Sequence, residues 1–240
     1  ALALDTALAL DTALALDTVA GPDTIAAPVP KPVITLRWVQ NYPSEQLYMV
    51  EKGLLWALSM LGAKLPANNK AKLLKWTANK TLQLDLTAAG FTDQALFALA
   101  KLVKALQTSE EHTKHGAIDV GRFVAVVFTS SYHYYAITGA APSLTLFRKQ
   151  YGFPGEVGWI VNSLIAKGHR DMEVALAKGV TGVAWQTGEG PGSLPAGTFK
   201  TVEHEVLDTM PNGQLRFALY GSDGKLKAAS DPQYSAAGRP

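Results

Sequence analysis

The chain of 240 residues contains no cysteine. That absence excludes disulfide scaffolds, thiolate zinc sites, iron–sulfur clusters and cysteine nucleophiles. Long hydrophobic runs are also missing. No stretch approaches the roughly 18 consecutive apolar residues of a membrane span, so none is expected. Excess charge of one sign is absent too, with 22 Lys and Arg against 20 Asp and Glu, a net of +2. So slight an excess, with no legible recognition module, argues against a nucleic-acid partner. The hydrophobic fraction of 48% excludes a wholly disordered chain. The chain starts at Ala1 rather than Met, and residues 1–18 lack the basic start of a secretory signal. A trimmed chain of the secreted or cell-envelope class is the expectation.

What is present first is a repeat. ALALDT occurs three times over residues 1–18, and a decayed fourth copy follows at 19–24. Asp5, Asp11, Asp17 and Asp23 recur every sixth residue, each followed by Thr. Four units of six residues are too few to bury a core of their own. The plain reading is a short tandem expansion in a terminal tail; the sharper reading is an extended arm that adds a strand to a neighbour, its leucines (Leu2, Leu4, Leu8, Leu10) filling pockets. The first 30 residues carry charge −4 and the remaining 210 carry +6. Attraction between an acidic arm and a basic body, within one chain or between subunits, is the expectation. Ile25 to Pro32 hold three prolines at alternate positions, a stiff extended linker. The organisation expected is an arm and linker over 1–32 and a globular body over 33–240, with segregation near 155.

The body reads as α+β. Pro43-Ser44-Glu45 opens a helix whose stripe is Leu47, Val50, Leu54, Leu58 and Leu61, stopping at Gly62. A lysine-rich stretch from 64 to 80 precedes alternating Leu82, Leu84 and Leu86, a short strand. Thr92 caps a helix to about Gln107, with Leu96, Leu99, Leu102, Val103 and Leu106 on one face. Asp119 caps a helix through Phe128, although Val124–Phe128 also suits a strand. Ser143 caps a short helix ending at Gly152. Strands follow at 157–165, 180–186, 201–208 and 214–220, with turns at Pro211-Asn212-Gly213 and Ser222-Asp223-Gly224. The fold expected is a helix-rich first half and an antiparallel meander after it.

Ser130-Ser131-Tyr132-His133-Tyr134-Tyr135 is the densest polar and aromatic cluster. In a strand, Ser131, His133 and Tyr135 share a face; in a helix, Ser131 neighbours Tyr134 and Tyr135. His133 with Ser131 would be a hydrolytic base and nucleophile, and Tyr132, Tyr134 and Tyr135 a ligand cleft. No oxyanion signature accompanies them. His112 and His115 stand three apart but lack further ligands, so no metal is expected. Glu203 and Glu205 share a strand face opposite His204, most simply a solvated one. The loop Gly188–Gly197 fails the phosphate-binding spacing, and no cofactor is expected. The function this suggests is a binding or assembly module that self-associates through residues 1–24. A hydrolase using His133 and a small-ligand binder near 132–135 are the alternatives.

Overall fold

The structure, a computed structural model, describes residues 29–40, 46–65, 70–160, 169–176 and 182–229. It divides into two compact units, Ala1–Gly139 and Ala140–Pro240. The repeat arm, the Pro43-Ser44-Glu45 helix start and the strand ends at 161–165 and 180–181 lie outside the described residues.

The first unit is a small sheet covered by helices. Strand β1 (Val33–Arg37) buries Ile34 and Leu36 and turns Thr35 and Arg37 outward. It pairs antiparallel with β3 (Thr81–Asp85), Ile34 against Leu84 and Leu36 against Leu82. Strand β2 (Leu74–Trp76) pairs with the other side of β3, and β4 (Ile118–Asp119) lies parallel to β1. The order is β2-β3-β1-β4. The period of two places Ile34, Leu36, Leu82 and Leu84 on one face, while Val33 falls on the other and is exposed, and the helices cover the leucine-bearing face.

Helix α1 (Leu47–Met60) buries Leu54, Ala57 and Leu58 and ends before Gly62, whose φ is 101°. Helix α2 (Asp93–Gln107) starts where Thr92 Oγ1 accepts from Ala95 N at 3.2 Å and buries the whole stripe read from the sequence. Helix α3 (Glu110–His115) is short and buries none of its residues. Helix α4 (Val120–Thr129) is capped by Asp119, which accepts from Arg122 N at 3.0 Å. The helical reading of this segment is the one the chain adopts: Val120, Phe123 and Val127 recur at helical spacing and face the core, outweighing the β-branched run. Helix α5 (Ser131–Thr138) follows after Ser130 and ends at Gly139.

The second unit opens with helix α6 (Leu144–Tyr151), capped by Ser143. Its sheet runs β5 (Gly158–Ile160), β6 (Arg170–Leu176), β7 (Val183–Glu189), β8 (Glu203–Thr209) and β9 (Leu215–Gly221) in sequence order. Every neighbouring pair is antiparallel, which makes the meander expected. Helix α6 belongs with this sheet: Phe147 packs against Tyr220, whose hydroxyl donates to Ala141 O at 2.7 Å. The protein is thus α+β, helix-rich first and strand-rich second. Among the described residues, no helix is long and apolar enough to cross a membrane.

Candidate functional site

The serine, histidine and tyrosine cluster forms helix α5. Ser130 is its N-cap and accepts from His133 N at 3.3 Å. In a helix, residues two apart do not face each other, so Ser131 and His133 point apart. His133 is buried, with 6% exposure. Its Nδ1 lies 3.4 Å from Val126 O, and its Nε2 has no hydrogen-bond partner among the described residues. Neither ring nitrogen therefore meets a hydroxyl there. The tyrosines differ in setting: Tyr132 is exposed, Tyr134 half-buried and Tyr135 buried, with the last two rings edge-on at 6.1 Å. His112 and His115 sit on α3, half-buried and exposed respectively. No group of three or more His, Asp or Glu that could hold a metal occurs among the described residues.

The second unit carries its polar groups on both sheet faces. Beneath α6, Arg148 Nη1 donates to Glu173 Oε2 at 2.5 Å and to Gln186 Oε1 at 2.7 Å. Burial alone would raise the Glu173 pKa, but the Arg148 guanidinium and the Gly155 N–H hold it below its ordinary value. Gln186 Nε2 lies 3.4 Å from His204 Nδ1, and burial keeps His204 on the neutral side of its usual range. Gly188 N donates to Asp171 Oδ1 at 2.6 Å, and any side chain at Gly188 would strike that carboxylate. Farther along, Tyr151 and Arg216 both donate to Asp208, and burial together with that carboxylate raises the Tyr151 pKa.

The opposite face holds the carboxylates flanking His204. They do share a face, but Glu203 is fully buried, not solvated. Lys227 Nζ binds its Oε2 at 2.7 Å. Glu203 lies directly opposite Glu189, which Arg170 pairs, and Arg170 also reaches Glu205 at 3.4 Å. Burial, then the neighbouring Glu205, pushes the Glu189 pKa up to about 7. Arginine and lysine thus meet each buried carboxylate, and the arrangement is that of structural ion networks. The Gly188–Gly197 loop is a narrow hairpin, closed by Lys200 N to Pro191 O and Thr198 N to Ser193 O, both 3.0 Å.

A different kind of feature stands at the margin of the first sheet, where sequence reading registered only a basic stretch. Strand β2 is one edge of this sheet, β4 being the other. Strand β2 joins β3 through a tight turn over Ala78, Asn79 and Lys80, the last two at positive φ, 57° and 55°, with Thr81 N donating to Ala78 O at 3.2 Å. Thr77 N donates to Thr81 O, so by alternation Lys75 bonds towards β3 while the backbone groups of Leu74 and Trp76 point outward. The side chains alternate as well. Leu74 is buried, Lys75 is exposed on the outer face, and Trp76 donates Nε1 to Glu51 Oε2 of α1 at 3.1 Å.

No family model, no curated protein and no solved structure matches this chain.

Proposed function

We propose that the protein is a self-assembling binding module and that its ALALDT arm is the interaction element. The observation that carries this reading is the even length of the repeat. Because each unit has six residues, Leu2, Leu4, Leu8, Leu10, Leu14 and Leu16 all fall on even positions. Asp5, Asp11 and Asp17 all fall on odd ones. An extended chain alternates faces every residue, so all three repeats present one leucine face and one acidic face without a slip. At 100° per residue the same leucines scatter around a helix. A two-faced strand of this kind is suited to pairing with another sheet. The separation of Ser131 from His133 on α5 lends no support to hydrolysis.

Comparing the full chain with a chain lacking residues 1–24 tests the reading. Light scattering is expected to show a concentration-dependent mass for the first and a monomer for the second; equal masses overturn it. The proposal also places the protein outside the cytoplasm, which cell fractionation decides.

A further inference from the structure

The assembly reading leaves open where the arm docks. Resting on that reading, we propose that the ALALDT arm of a second copy adds as a strand to the β2 edge of the first unit, with an arm aspartate opposite Lys75.

Backbone geometry favours this edge. Among the described residues β2 has a strand on one side only, and the main-chain groups of Leu74 and Trp76 point away from it. An edge of this kind is a template for strand addition. Both faces of the sheet also continue correctly. The inner layer at this margin is Leu74, Trp76, Leu82 and Leu84, and the outer layer is Lys75 and Gln83. In an antiparallel pairing with Asp5 opposite Lys75, its neighbours Leu4 and Thr6 fall opposite Trp76 and Leu74 respectively, and the alanines continue the outer face. The same holds for Asp11 and Asp17, because each is preceded by Leu and followed by Thr.

Charge favours the same pairing. Lys72 and Lys75 are exposed, and residues 64–80 carry five lysines and no acid, against an arm that carries only aspartates. Lys75 bonds inward to β3, so an antiparallel partner opposite it occupies a non-hydrogen-bonded site. Side chains approach most closely at such sites, which favours a cross-strand Asp–Lys pair. Helix α1 supplies a cover for the incoming leucines. Glu51 sits over Trp76, and Leu55 and Tyr48 lie four residues after and three before it, on the same flank. Leu55 is half-buried and Tyr48 is exposed.

The stoichiometry favours a second copy. Each chain offers one β2 edge but three identical repeats. Six extended residues span about 20 Å, enough for one repeat to cover the edge. Repeats beyond the first then serve edges on other copies, and tandem engagement adds avidity.

The experiment uses the full chain, Lys75→Glu, the triple change Asp5→Lys, Asp11→Lys and Asp17→Lys, and the combination of all four. Sedimentation across a concentration series reads self-association, and hydrogen exchange reads the Trp76 amide. Lys75→Glu and the arm triple are each expected to weaken association about three- to tenfold, from the loss and reversal of a cross-strand charge pair. The combined variant is expected to recover it. Protection of the Trp76 amide is expected to rise with protein concentration in the wild-type chain. Trp76 protection at every concentration with a monomeric mass overturns the proposal in favour of the chain's own arm. Unaltered association in Lys75→Glu with an unprotected Trp76 amide overturns the docking site while the assembly reading stands. A wild-type chain that neither associates nor protects Trp76 removes both. The arm triple changes no residue of the described strands or helices, so it keeps the test decisive if Lys75→Glu fails to fold.

Discussion

Asp208 is a buried carboxylate, 1% exposed, held by Arg216 and the Tyr151 hydroxyl. Removing one member of such a pair strands the other charge, at a cost of about 3–5 kcal/mol. Arg216→Ala is therefore expected to lose about that much stability in urea denaturation, and Tyr151→Phe about 1–2 kcal/mol. The glutamates respond to pH in opposite directions. Glu189 has a folded pKa of about 7, above its unfolded value. The folded state thus keeps a proton that the unfolded chain releases, and this contribution is full below about pH 4.3 and lost as pH rises to about 7. Glu173, held below its ordinary value, contributes above that value and loses its contribution as pH falls through the lower folded one. Urea midpoints from pH 4 to 8 should show a flatter slope in Glu189→Gln than in wild type. An unchanged slope would mean that the carboxyl does not gain its proton on folding.

Single elements show what the sequence revealed and what it hid. Helices α2, α4 and α6 were legible from Thr92, Asp119 and Ser143, because an N-cap is a local bond between neighbours in sequence. Strand β6 was not legible. Its residues Asp171 and Glu173 turn towards the covered face, where only the folded chain brings Arg148 and Gly188 N to meet them. Charge there masks the alternation on which strand reading depends. Glu203 escaped for the same reason: Lys227, its partner, lies 24 residues away. The cluster on α5 was visible as composition, but its meaning hung on helix against strand, which decides whether Ser131 and His133 share a face. The β8–β9 turn was legible and gives a direct test. Gly213 has φ 86° with open space around it, so Gly213→Val meets backbone strain alone. It is expected to lower stability by about 1–3 kcal/mol, read from the urea midpoint. His133→Ala, which deletes a buried ring, is likewise expected to destabilise by about 1–3 kcal/mol without altering the far-UV spectrum.

At the scale of the whole molecule the net charge of +2 conceals a separation, −4 over the first 30 residues and +6 over the rest. Two forces then contribute to any arm-mediated association, and salt separates them. Raising ionic strength from about 0.1 to about 1 M shortens the screening length from about 10 to about 3 Å, which weakens attraction between exposed aspartates and lysines. Burial of leucine against Leu74 and Trp76 has no such dependence, and sulfate strengthens it. Association of the wild-type chain is therefore expected to weaken in sodium chloride and to recover partly in sodium sulfate of equal ionic strength. Lys75→Glu should be less sensitive to sodium chloride, since its charge contribution is already reversed. If chloride left the wild-type mass distribution unchanged, the aspartates would have no role in docking. The arm would then be held by its leucine face and backbone pairing alone.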